Sequence, residues 1–293
     1  MVLGAASTGI RVMTSSSSPG ISLKTEGISY IAGSDLPAVI INVMRGGPGL
    51  GGIQPSQADY YQATKAPGHG DLHLLVYAPS SVQEIVDLVS KAFDNADKYR
   101  MPVMILADGI LGQMMEPITF PEDSTAASAA VEKGWATTGT KEKRKPNIVN
   151  SLYLQPDELE NKVKERFARY DILKKEEVMA EEYLTDDAEI VTVAYGATAR
   201  IVRRAVAAAR ANGIKAGMIR PITVWPFPDK AIADRAAPAK AVLTVEMSLG
   251  QMVDDVKIAV NGVCPVHFYG RTGGMVTSPN EILEQITKIA GEV

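Results

Sequence analysis

Arg45 is the residue whose surroundings most suggest chemistry. It closes the run Pro37–Ala38–Val39–Ile40–Ile41–Asn42–Val43–Met44 and opens Gly46–Gly47–Pro48–Gly49–Leu50–Gly51–Gly52. The apolar, β-branched segment reads as a strand buried on both faces. Its end releases a guanidinium beside backbone that can approach a ligand closely. A carboxylate or a phosphate is the group such a fork holds, with Gly46, Gly47 and Gly49 carrying the loop to it. The same spacing fits an Arg45 paired with an internal acid, above glycines that only turn the chain.

A second candidate is the turn Ser15–Ser16–Ser17–Ser18–Pro19–Gly20, where a strand at Ile10–Thr14 passes into a helix at Ile21–Ala32. Backbone amides at such a turn can face a ligand, and a run of serines also makes an ordinary loop. Gln57 and Asp59 follow the glycine loop and could orient Arg45, meet a partner or start a helix. Glu246–Met247–Ser248 and Arg271–Thr272–Gly273–Gly274 read as loops at strand ends, serving a ligand, a partner surface or structure alone. His69, Asp71 and His73 lie close in sequence but lack the ligand number and spacing of a metal cluster. With Cys264 the single cysteine, this chain alone forms no internal disulfide and carries no iron–sulfur cluster.

The elements that must position these residues alternate. A helix is expected at about Gln57–Lys65 and a strand at Leu72–Ala78. Pro79–Ser80–Ser81–Val82–Gln83–Glu84 is a helix start with Ser81 at the cap and Glu84 three residues on, and that helix runs to about Tyr99 before a buried strand at Pro102–Ala107. Strand–helix–strand repetition implies a parallel, doubly wound sheet. From Met114 to about Asn150 the pattern decays into prolines and the charged run Lys141–Glu142–Lys143–Arg144–Lys145, which reads as solvated linker. Pro156–Tyr183 is a charged helical stretch with Val163, Phe167, Tyr170 and Leu173 on one face. A second α/β unit then follows, with strands at Glu189–Tyr195, Ala216–Ile219, Ala241–Val245 and Val266–Tyr269. Its helices run from Gly196 to near Gly213 and over about Asn280–Ala290. Trp225 and Phe227, set beside Pro226 and Pro228, form an apolar knot suited to core or interface.

With 46% hydrophobic and 22% charged residues, the 293-residue chain can bury a substantial core and divide into two domains. The expected division is residues 1–125, a linker and charged helical segment over 126–186, and residues 187–293. A net charge of -4 argues against nucleic acid as the main partner. No apolar run reaches membrane-spanning length, so a soluble, cytoplasmic chain is expected.

Several motifs in order resemble the α subunit of 2-oxoacid:ferredoxin oxidoreductases, and most closely the branched-chain, 2-oxoisovalerate type. They are Arg11–Val12–Met13–Thr14–Ser15–Ser16, Ser22–Leu23–Lys24–Thr25–Glu26–Gly27–Ile28–Ser29, Met44–Arg45–Gly46–Gly47–Pro48–Gly49–Leu50–Gly51 and Ala58–Asp59–Tyr60. Downstream, Leu106–Ala107–Asp108, Leu111–Gly112–Gln113–Met114, Val193–Ala194–Tyr195–Gly196, Arg220–Pro221–Ile222–Thr223 and Glu246–Met247–Ser248–Leu249–Gly250–Gln251–Met252 fit as well.

The resemblance implies an α/β fold in two parts. One is a doubly wound domain of the type that binds the pyrimidine half of thiamine diphosphate; the other is an α/β domain similar to the transketolase C-terminal domain. It implies oxidative decarboxylation of a small 2-oxoacid, with the acyl group passing to coenzyme A and the electrons to ferredoxin. The cofactor is then shared with a partner subunit, and magnesium and iron–sulfur clusters belong to the β, γ and δ-type partners of a dimer of heteromeric units. Arg45, with Gly46, Gly47 and Gly49, would hold the substrate carboxylate, and Ser16, Ser17, Ser18 and Gly20 would face the cofactor. The family's Tyr-Pro-Ile-Thr-Pro motif and its cofactor-activating glutamate correspond to positions before Met1, so no catalytic residue is expected within the chain and it is expected to be inactive alone. Glu26, on the next helix, is no replacement for that glutamate. The same departure leaves open a non-catalytic interaction subunit or fragment that keeps the fold without the chemistry. At position 18 a serine stands where related chains often carry glycine, so the turn is expected to differ slightly in shape.

Overall fold

A computed structural model describes residues 1–120 and 132–292. Helix α1 (Val2–Ser7) precedes strand β1 (Met13–Ser16), short helix α2 (Pro19–Ser22) and helix α3 (Thr25–Gly33). The helix expected over Ile21–Ala32 is thus broken at Leu23–Lys24. Strand β2 (Ala38–Met44) is followed by α4 (Tyr60–Thr64), β3 (Leu75–Tyr77), α5 (Val82–Tyr99), β4 (Pro102–Asp108) and α6 (Gly109–Gln113). Ser81 caps α5 as expected, its hydroxyl accepting from the Glu84 amide at 3.1 Å. The Glu84 carboxylate reaches back to the Ser80 amide, at 2.7 Å, rather than to that of Ser81.

The charged helix α7 (Pro156–Glu176) stops before its expected end, because Ala180–Tyr183 forms strand β5. Glu177 is drawn inward at that point, accepting hydrogen bonds from Asn95 and Tyr99. The second unit contains β6 (Ile190–Val193), α8 (Gly196–Ala211), β7 (Ala216–Pro221), β8 (Thr223–Trp225) and α9 (Asp229–Ala236). Strand β9 (Ala241–Glu246), α10 (Met252–Val260), β10 (Val266–Gly270) and α11 (Pro279–Glu292) complete it.

Two five-stranded sheets result, ordered β1-β2-β4-β3-β8 and β10-β9-β6-β7-β5. In each, four strands are parallel and one edge strand, β8 or β5, runs antiparallel. β4 is buried throughout and β2 nearly so, as their apolar composition requires. β8 lies in sequence among the strands of the second sheet yet pairs with β3 of the first. Trp225 on β8 stacks on His73 at 4.4 Å, and Phe167 and Tyr170 of α7 close over the pair. His73 therefore serves packing, and burial lowers its pKa below the ordinary value. Among the described residues no cluster of three metal-ligating side chains occurs, and no helix is long and apolar enough to cross a membrane.

Candidate functional site

The carboxyl end of β2 delivers Arg45 into a closed loop. Arg45 forms an isolated antiparallel bridge with Pro55, and the Gly46 amide donates to Gln54 O at 2.9 Å. Within this hairpin-like loop the Gly52 amide donates to Gly46 O at 2.9 Å. Gly51, at φ +55°, sits where a Cβ would lie 1.8 Å from Gly46 O, so only glycine closes the ring. The half-buried guanidinium donates through Nη1 to Gly52 O at 3.1 Å and to Leu50 O. Among the described residues no carboxylate lies within ion-pairing distance of it. The guanidinium is thus oriented by neutral carbonyls.

The serine turn meets the same loop. The Ser18 hydroxyl accepts from the Arg45 amide at 3.0 Å and donates to the Asp59 carboxylate at 2.6 Å, which also accepts from Asn42 Nδ2 at 3.1 Å. Asn42 Oδ1 in turn accepts from the Ser18 amide at 3.2 Å. Ser18 has φ +25°, a conformation that favours glycine. Its side-chain bonds hold a serine there, which gives a physical form to the departure noted at this position. Asp59 therefore orients Arg45 through Ser18 and the backbone, without touching the guanidinium. Asn42 was not singled out in the sequence; its signal was a polar residue in the middle of an otherwise apolar strand.

A cavity of about 240 Å³ opens beside the cation, lined by Ser17, Val43, Met44, Arg45, Ile53, Gly109, Gly112 and Gln113. Gly109 and Gly112 are carried there by α6, whose first turn is fixed by buried Asp108 accepting from the Ile110 amide at 2.8 Å. Burial raises the Asp108 carboxyl above its ordinary value, against those amide bonds. Of the sequence candidates, Ser17 and Arg45 face this cavity together. The Ser18 hydroxyl is engaged within the protein, Ser16 is half-buried with its Oγ packed against Gly20, and Gly47 and Gly49 lie exposed on the outer loop. No cavity-lining residue is a carboxylate. The wall suits an anion with an apolar body, or a neutral heteroaromatic ring, better than a metal-bound diphosphate.

The remaining candidates lie on the second sheet. Buried Glu246 accepts from the Met252 and Val253 amides at 3.0 and 2.9 Å and from the Ser248 hydroxyl at 2.9 Å. Burial raises its carboxyl, and these bonds oppose the rise. Arg271 pairs with Glu281 at 2.9 Å. Both are thereby committed to holding loops, with Gly273 and Gly274 beside Gly46 and Gln54.

Comparisons with known proteins identify the relatives of the chain. Residues 1–182 match the family model for the thiamine diphosphate-binding part of pyruvate flavodoxin/ferredoxin oxidoreductase, and residues 188–282 match core domain II of pyruvate:ferredoxin oxidoreductase. The ketoisovalerate oxidoreductase subunit VorB of Methanothermobacter thermautotrophicus is 50% identical over all of this chain and 82% of its own length. The 2-oxoglutarate synthase subunit KorA of the same organism is 34% identical over 98% of this chain and 83% of its own. A solved 2-oxoglutarate:ferredoxin oxidoreductase from Magnetococcus marinus superposes with a TM-score of 0.78 at 22% identity, over 98% of this chain and 55% of that one. A split-gene transketolase does so at 0.57 and 13%, over 99% of this chain and 79% of that one, and both likenesses speak to the fold. With one family model spanning more than half of the sequence and a relative half identical from end to end, the chain belongs to the pyruvate flavodoxin/ferredoxin oxidoreductase family.

Proposed function

We propose that the chain is the α subunit of a cytoplasmic, branched-chain 2-oxoacid:ferredoxin oxidoreductase. The complex decarboxylates a 2-oxoacid oxidatively, hands the acyl group to coenzyme A and passes electrons to ferredoxin. The observation that carries this reading is the Arg45 guanidinium, held by backbone carbonyls beside an apolar cavity with no carboxylate to neutralise it. A planar fork so placed suits the carboxylate of a 2-oxoacid. Val43, Met44 and Ile53 offer the aliphatic tail an apolar wall. Arg45 is the one cation of the lining, so a monocarboxylic acid is matched where a dicarboxylic one would leave its second charge unpaired.

Thiamine diphosphate, when bound, supplies the electron sink that decarboxylation of a 2-oxoacid needs. Ser16, Ser17 and Gly20 would border its ring from the serine turn, while magnesium, the diphosphate and the iron–sulfur clusters belong to the partner subunits. Leu50 and Ile53, exposed on the loop that carries Arg45, fit a surface covered by those partners.

The test is reconstitution with the partner subunits. Viologen or ferredoxin reduction is expected with 2-oxoisovalerate and coenzyme A, weaker with 2-oxoglutarate. Arg45→Ala should raise KM for the 2-oxoacid sharply. A complex that binds no thiamine diphosphate would make this a non-catalytic interaction subunit, and an unchanged KM in Arg45→Ala would remove the anchor.

A further inference from the structure

An open parallel sheet ordinarily takes its ligand in the crevice where strand order reverses, beyond the carboxyl ends. In the second sheet that crevice lies between β6, which continues through α8 to β7, and β9 on its other side. It is filled from the first unit by Gln57, which is fully buried. Gln57 Nε2 donates to Tyr195 O at 2.9 Å, just past β6. Its Oε1 accepts from the Met247 amide at 2.9 Å, just past β9, and from Thr198 Oγ1 at 2.8 Å on the first turn of α8. Its backbone is held as well, with the amide donating to Met247 O at 2.8 Å and the carbonyl accepting from Tyr195 OH at 3.1 Å. Gly196, at φ +59°, permits the approach, since a Cβ there would stand 3.1 Å from Gln57 Nε2.

The residues just before Gln57 are the returning limb of the Arg45 loop. Pro55 bridges Arg45, Gln54 O receives the Gly46 amide, and Gly273 and Gly274 press on Gly46 and Gln54 from the β10 side. We propose that Gln57 is a positioning residue: by occupying the ligand crevice of the second sheet it fixes the returning limb, and so sets where the Arg45 guanidinium meets the substrate. The second unit is then a jig for the first rather than a ligand site at that crevice. The inference rests on Arg45 as the carboxylate anchor.

The experiment uses the reconstituted complex carrying Gln57→Ala or Thr198→Val, each also combined with Arg45→Ala. Amide hydrogen exchange over residues 46–54 is read together with KM and kcat for 2-oxoisovalerate. Gln57→Ala should speed exchange in that segment while β2 and β4 stay protected, and should raise KM about tenfold or more with a smaller change in kcat. The KM effect should vanish in the Arg45→Ala background. Thr198→Val removes a single donor and should act in the same direction more weakly, which keeps the test alive if Gln57→Ala fails to assemble. Unchanged exchange in the loop, or a general loss of protection with KM unaltered, overturns the proposal. Faster loop exchange with a KM rise that persists without Arg45 leaves the hold of Gln57 on the loop in place and overturns the anchor instead.

Discussion

The two sheets have the same make-up, four parallel strands and one antiparallel edge, yet their carboxyl ends are used in opposite ways. Above the first, a cation is left without an acid among the described residues, beside an open cavity. Above the second, the crevice is spanned by Gln57 with its side-chain amide matched at both ends, and Glu246 gathers three amides and a hydroxyl. The proposed substrate site thus sits where the electrostatics are left incomplete, and in the proposed arrangement the second unit supplies the rigidity against which the first is held.

Substitutions that separate the two regions break or sharpen this contrast. The largest effect belongs to Arg45→Ala, which should lower kcat/KM by about 10²–10³-fold with the unfolding midpoint of the isolated chain nearly unchanged, because the guanidinium contributes only two bonds to loop carbonyls. Steady-state kinetics beside a denaturant titration checks it. Glu246→Ala should do the reverse, destabilising by about 2–4 kcal/mol through orphaned buried donors. Any residual complex should then keep its KM, as read by the same pair of measurements.

Glu84→Gln probes the joint between the units, since Glu84 on α5 pairs with buried Arg220 on β7 at 2.6 Å. Burial alone would raise the Glu84 carboxyl, but Arg220 and the Ser80 amide overcome it and hold the group below its ordinary 4.5. A carboxyl lowered on folding stabilises above 4.5 and loses that contribution as pH falls through its folded value. The variant should therefore be less stable by about 2 kcal/mol near neutrality, with the gap from wild type closing in acid, as denaturant midpoints across pH will report. Lys143→Ala, in the exposed run between the units, should change neither activity nor stability beyond about 0.5 kcal/mol.

The strands β2 and β4, the capped start of α5 and the alternation of the second unit were legible because apolar runs and a capping pair are local signals. Arg45 was legible as a candidate for the same reason: a charge directly after a buried strand is visible in one dimension. Strand β8 was not, since its three residues carry no periodicity and their partner, β3, lies about 150 positions earlier. Strand β5 was read as the tail of α7 because its Glu181 and Glu182 continue the charged composition; its pairing with β7 is what overrides helix propensity. Gln57 was legible as a candidate to orient Arg45, but the contacts by which it is proposed to do so were hidden, for its partners Tyr195, Thr198 and Met247 come together only in the folded chain.

The exchange of β8 across the two sheets has a practical corollary for protein engineering. A cut between residues 182 and 188, where the two family matches divide, would strip the first sheet of an edge strand and leave β3 presenting unpaired backbone to solvent. Chimeras that graft a foreign second half onto this first half must therefore transplant Thr223–Trp225 with the recipient, or they will yield a sticky, self-associating product instead of an interchangeable cassette.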